Sequence, residues 1–130
     1  MTYNNFKARN EICNHVIAKY NKINVSPGKL LYNFQCHRNS VHIAKKRNHK
    51  KLAMCVYIDE GYPIIHFVNY RKKVYIDNTL GMWTTQNDYY FIKWVREDEM
   101  WNIFDTFEAF RIELGNALNW WTRLTSDYRG

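Results

Sequence analysis

An α+β fold with helices packed on a small antiparallel sheet is the architecture this sequence predicts, and three observations predict it. Apolar residues recur at helical spacing in a stretch near each end of the chain, two strand-like runs, LAMCVYI and IIHFVNY, lie between them, and turn signals punctuate those runs. With 130 residues, 46% of them hydrophobic, the chain suits one domain spanning residues 1–130. Pro27 and Pro63 are the only prolines and glycine is scarce, so no linker, repeat or low-complexity segment is expected.

The first element is a helix from about Asn5 to Asn21, with Phe6, Ile12, Cys13, Val16, Ile17 and Tyr20 on one stripe, which places Cys13 in the core. Ser26, Pro27 and Gly28 read as a turn. A second helix opens at Cys36, where Val41 and Ala44 suit an amphipathic face. Leu52 to Ile58 is the first central strand, closed by Asp59, Glu60 and Gly61, with Met54 and Cys55 on alternate faces. Ile64 to Tyr70 and Lys73 to Asp77 form a hairpin, and Tyr89 to Val95 is a further strand. Glu97, Asp98 and Glu99 begin a long helix, since acidic residues complement the positive end of the helix dipole. Its core stripe is Met100, Ile103, Phe107, Phe110, Leu114, Leu118 and Trp121, with Gly115 as the point of a bend.

The segment from Cys36 to Gly81 carries the chemistry. A thiol at a helix N-terminus lies near unpaired backbone N–H groups and the positive dipole end, which favour the thiolate and suit an oxyanion. In the hairpin, Arg-Lys is a poor two-residue turn, so a four-residue loop centred on Arg71 and Lys72 is expected, and it sets His66 directly opposite Asp77. Cross-strand Cβ atoms roughly 4.5–5.5 Å apart let a carboxylate accept a hydrogen bond from the imidazole and fix its tautomer. A three-residue loop would bring Asn78 opposite His66 instead, and asparagine can orient a histidine too. Cys36 as nucleophile, His66 as base and Asp77, or Asn78, as orienting group form the candidate catalytic set. Each residue alone has a plainer reading: a buried small hydrophobe, a core histidine, a strand-ending aspartate. Their joint arrangement is what points to catalysis.

Cys36 with Asn39, Tyr57 to Gly61, His66 followed by Phe67, and Asp77 with Thr79 together resemble the papain-like and transglutaminase-like cysteine protease superfamily, in its small single-domain members. The likeness covers about a third of the chain. It implies a thiol hydrolase or acyl-transferase acting on an amide, thioester or isopeptide-like bond of a protein or peptide-like substrate. It carries Cys36, His66 and Asp77 over as the triad, on a helix packed against an antiparallel sheet. Asn78 stands where such proteins have proline, and Asn33 and Gln35 both remain open for the oxyanion side chain.

A net charge of +7, with Lys45, Lys46, Arg47, His49, Lys50 and Lys51 in one run, suits an acidic partner. The plain reading of that run is a solvated cationic helix end; the functional one is phosphate binding. The alternative function is therefore a cationic, non-catalytic binding or inhibitor protein directed at a host protein or nucleic acid. High Asn, Lys, Tyr and Ile content fits an AT-rich coding genome such as a bacteriophage's. His15, His37, His42, His49 and the three cysteines lack paired metal-ligand spacing, so neither a metal nor another cofactor is expected. Three cysteines make no disulfide framework, and no apolar run of membrane-spanning length or apolar signal region occurs, so a cytoplasmic protein without membrane contact is expected.

Overall fold

A computed structural model describes residues 3–28, 51–79, 84, 87–119 and 122. The expectations for Asn33, Gln35, Cys36, His37, Asn39, Val41, His42, Ala44, the basic residues Lys45 to Lys50, Gly81 and Trp121 lie outside the described residues. Those described form an α+β fold. Helix α1 (Tyr3–Lys19) is followed by strands β1 (Asn21–Ile23), β2 (Val25–Pro27), β3 (Lys51–Asp59), β4 (Tyr62–Arg71), β5 (Val74–Asp77) and β6 (Asp88–Val95). A 3-10 turn over Glu97–Asn102 then leads into helix α2 (Ile103–Asn116).

The strands make one sheet in the order β1-β6-β3-β4-β5-β2. Its two edge strands, β1 and β2, are separated in the chain by Asn24 alone, so the sheet curls until its edges meet. The sheet is mixed, not purely antiparallel: β2 runs parallel to β5, pairing Val25 with Tyr75 and Pro27 with Asp77. Ser26 and Pro27, expected in a turn, thus lie in a strand. Pro27 is tolerated because an edge strand does not need its missing N–H. The next residue, Gly28, donates its N–H to the carbonyl of Asp77 at 2.7 Å. A Cβ at Gly28 would come within 2.5 Å of both Ile76 Cγ2 and Asn78 Oδ1, so only glycine allows this approach.

Alternation along β3 builds two apolar layers. Leu52, Met54 and Val56 face the helices, packing with Ala8, Ile12 and Val16 of α1 and Ile103, Phe110 and Leu114 of α2. Ala53, Cys55 and Tyr57 face into the curl with Val68 and Tyr89. Met54 and Cys55 therefore do lie on opposite faces, and Cys13 is buried. Phe6 and Ile17, expected on the α1 core stripe, are each 51% exposed. At about 100° per residue, Phe6 turns to the far side from Ala8, and the face is set by Ala8, Ile12 and Val16 at intervals of one turn.

Both hairpin turns have two central residues at positive φ, Glu60 (49°) with Gly61 (83°) and Lys72 (51°) with Lys73 (66°). The second corrects the expected loop: the register pairs Tyr70 with Tyr75 and Arg71 with Val74, so the turn is Lys72–Lys73. Left-handed lysines are unfavourable locally, but this register brings the Tyr70 and Tyr75 rings to 4.7 Å. The acidic run after β6 begins a 3-10 turn and not the long helix directly. Glu99 bonds the Arg96 N–H (3.0 Å), Lys93 Nζ (2.8 Å) and Thr106 Oγ1 (3.0 Å), which ties the turn to both β6 and α2. α2 runs unbroken through Gly115. Among the described residues no helix is long and apolar enough to cross a membrane.

Candidate active site

The inside of the curl holds two buried ionisable side chains, His66 and Asp77. His66 on β4 lies beside Cys55 on β3, and both turn inward with Val68. Extending the observed β4–β5 register by one residue sets Asp77 level with Val68, so His66 meets Asp77 diagonally and not directly across. The diagonal suits the far end of the ring: His66 Nε2 and Asp77 Oδ2 are 2.6 Å apart. His66 is 2% exposed and Asp77 is fully buried.

Asp77 is held at both oxygens. Oδ1 accepts the Thr79 N–H at 2.7 Å, which also ends the strand, and Oδ2 accepts the Tyr89 hydroxyl at 2.8 Å together with its bond to His66. A carboxylate removed from water needs such donors to stay ionised. Burial, then the charge of Asp77 and the hydrogen bond to it, push the Tyr89 phenol well above its ordinary pKa, so it acts as a neutral donor. The Tyr57 ring stands edge-on to His66 with centroids 5.0 Å apart, and Tyr89 lies 6.2 Å from it. The imidazole is thus walled by rings and anchored by one carboxylate.

Of the candidate catalytic set, the structure brings His66 and Asp77 together, while Cys36 lies outside the described residues. Asn78, the other candidate orienter, bonds elsewhere: its amide donates to Asn69 Oδ1 at 2.9 Å. Asn69 is three residues from His66 and so points to the opposite face, and Asn78 follows Asp77 to that same face. Cys13 Sγ lies 3.4 Å from the Gly61 carbonyl and Cys55 Sγ 3.5 Å from the His66 carbonyl, so both thiols sit against backbone oxygens. Among the described residues no group of histidine, cysteine and carboxylate side chains is arranged to hold a metal.

Sequence reasoning missed Tyr89 and Tyr57 as members of this site. Strand alternation identifies their faces, but β6 is not a neighbour of β5 in the sheet. Tyr89 reaches Asp77 across the inside of the curl, a contact with no signal in local spacing. Comparison with protein-family models, with curated proteins and with solved structures found no match for this chain.

Proposed function

We propose that the chain is a cysteine-dependent hydrolase or acyl-transferase with Cys36, His66 and Asp77 as its triad. The observation that carries this reading is the buried His66–Asp77 pair, 2.6 Å apart through Nε2, with the carboxylate fixed by Tyr89 and Thr79. Anchoring Nε2 makes Nδ1 the nitrogen that takes the thiol proton. The Cys36 thiolate then attacks the carbonyl carbon of an amide, thioester or isopeptide-like bond. As the tetrahedral intermediate collapses, the carbon–nitrogen or carbon–sulfur bond breaks, and the imidazolium of His66 protonates the leaving amine or thiol. Water or an amine next attacks the thioester on Cys36, gives its proton to His66, and releases the acyl group.

Alkylation of the native thiols across pH tests this, comparing the wild-type chain with Cys36→Ala, His66→Ala and Asp77→Asn. The reading expects one fast-reacting thiol that disappears in Cys36→Ala and whose apparent pKa, below the ordinary value of about 8.5, rises when His66 is removed. A Cys36 that reacts no faster than a cysteine in the unfolded chain, or that ignores His66, overturns it.

A further inference from the structure

The concave face changes character from one end to the other. Around His66 it is buried; at the opposite end, beyond Val68, it carries a cluster of rings. Tyr70 contacts Tyr75 at 4.7 Å and Trp94 at 5.1 Å, and Phe91 contacts Trp94 at 5.0 Å. Phe91 and Trp94 share a face only because β6 carries one extra residue at Ile92, where the pairing with β3 steps from Met54–Lys93 to Cys55–Phe91. Trp94 is 38% exposed, and Tyr70 and Tyr75 are half-buried.

Cations rim this end. The ammonium of Lys51, whose residue pairs with Tyr70, lies 5.1 Å from the centre of the Trp94 ring. Arg71, Lys72 and Lys73 form the exposed tip of the adjoining hairpin. Elsewhere in the fold Lys19, Lys22, Lys93, Arg96 and Arg111 have carboxylate partners. Lys51, Arg71, Lys72 and Lys73 form no ion pair among the described residues. In the turn after β6, Asp98 pairs with Arg96 and Glu99 with Lys93. A two-residue turn with both φ values positive favours Asn-Gly, yet here it is Lys-Lys. A local rule broken at a stability cost is expected where function needs the residue.

We propose that this end binds single-stranded nucleic acid, with Trp94, Tyr70 and Tyr75 contacting bases and Lys51, Arg71, Lys72 and Lys73 contacting phosphates. Cations without carboxylate partners beside partly exposed rings complement a chain that carries both phosphates and free π-faces. An acidic peptide would satisfy the charges alone, and a duplex keeps its base faces stacked on one another. The inference is independent of the thiol chemistry proposed for Cys36.

The experiment is fluorescence anisotropy of a labelled oligothymidylate of about 15 nucleotides, near the upper site size of small barrel folds, titrated with the full chain. Four phosphate contacts on a single strand predict that affinity falls about 50-fold between roughly 50 and 200 mM salt. Lys72→Asn with Lys73→Gly supplies the residues the turn prefers, so the fold melts no lower than wild type, while the same salt step now costs only about 7-fold. Trp94→Ala weakens binding about 5- to 150-fold with the salt dependence unchanged, the range expected for one lost base stack. The proposal is overturned if the turn variant binds with wild-type affinity and salt dependence, if polyglutamate competes as well as the oligonucleotide, or if a duplex binds as tightly.

Discussion

Replacing Tyr89 by phenylalanine removes one oxygen from the centre of the site and little else. That oxygen donates to Asp77 Oδ2 at 2.8 Å, inside a pocket where Tyr89 is 1% exposed and Asp77 fully buried. A hydrogen bond to an ionised group is worth about 1.5–3 kcal/mol, and the Phe ring fills the same space, so the variant loses about that much stability near neutral pH. For 130 residues the unfolding entropy converts this to a fall in Tm of about 5–11 °C. The difference also depends on pH. The folded state keeps Tyr89 protonated far above its ordinary pKa, whereas in the unfolded chain it ionises near pH 10. The native contribution is therefore complete below pH 10 and declines as pH rises through and above it. The stability gap between wild type and variant shrinks by about 1.4 kcal/mol from pH 9 to pH 11. Urea unfolding at pH 7, 9 and 11 measures both effects. A variant within about 0.5 kcal/mol of wild type at pH 7, the range of inconsequential surface changes, or a gap that ignores pH, refutes the account of how Asp77 is held.

Gly28→Ala forces a Cβ to within 2.5 Å of Ile76 Cγ2 and Asn78 Oδ1 beside the backbone of Asp77, and urea unfolding should show a loss of about 1–3 kcal/mol; a neutral substitution would mean that β2 does not lie against β5. Glu99 is pulled two ways: partial burial raises its pKa, while Lys93, the Arg96 N–H and Thr106 lower it, for a net value of about 2. Its stabilisation is complete above the unfolded pKa of about 4.3 and is lost as pH falls through 2, so Glu99→Gln should flatten the acid limb of a stability profile between those values. An NMR titration placing Glu99 at its ordinary value would contradict this. Cys13 is buried, with its thiol pushed up by desolvation against a smaller opposing pull from Arg9, and Cys55 is fully buried. Both should resist alkylation in the native protein and react once it is unfolded, as mass spectrometry of labelled peptides would report; labelling of Cys55 in the folded chain would contradict its place inside the curl.

Much of this architecture was legible because its signals are local. Period-four spacing marked Ile12 and Val16 and, in α2, Ile103, Phe110 and Leu114 as core. Strand alternation separated Met54 from Cys55, and the Ile64–Asp77 hairpin, which brings His66 near Asp77, followed from two short runs joined by a turn, although the register sets the two diagonally and not directly opposite. The errors fall where local preference and tertiary packing disagree. Lys72 and Lys73 adopt positive φ against their own preference, because the shorter loop sets Tyr70 against Tyr75. Ser26 and Pro27 carry turn chemistry and nevertheless complete the sheet, because an edge strand tolerates proline.

By itself, then, the sequence determined the α+β class, the central strands and the pairing of an imidazole with a carboxylate, since all of these depend on residues close in the chain or across one turn. Only the tertiary structure decided that the sheet is mixed and curls until its edges meet at Asn24, that Asn78 faces away from His66, and that Tyr89 crosses the curl to Asp77. It likewise decided that a bulge at Ile92 aligns Phe91 with Trp94 at the end of the curl opposite His66. These features rest on contacts between strands distant in sequence. Their geometry is set by which surfaces must be buried together, and local spacing does not encode that.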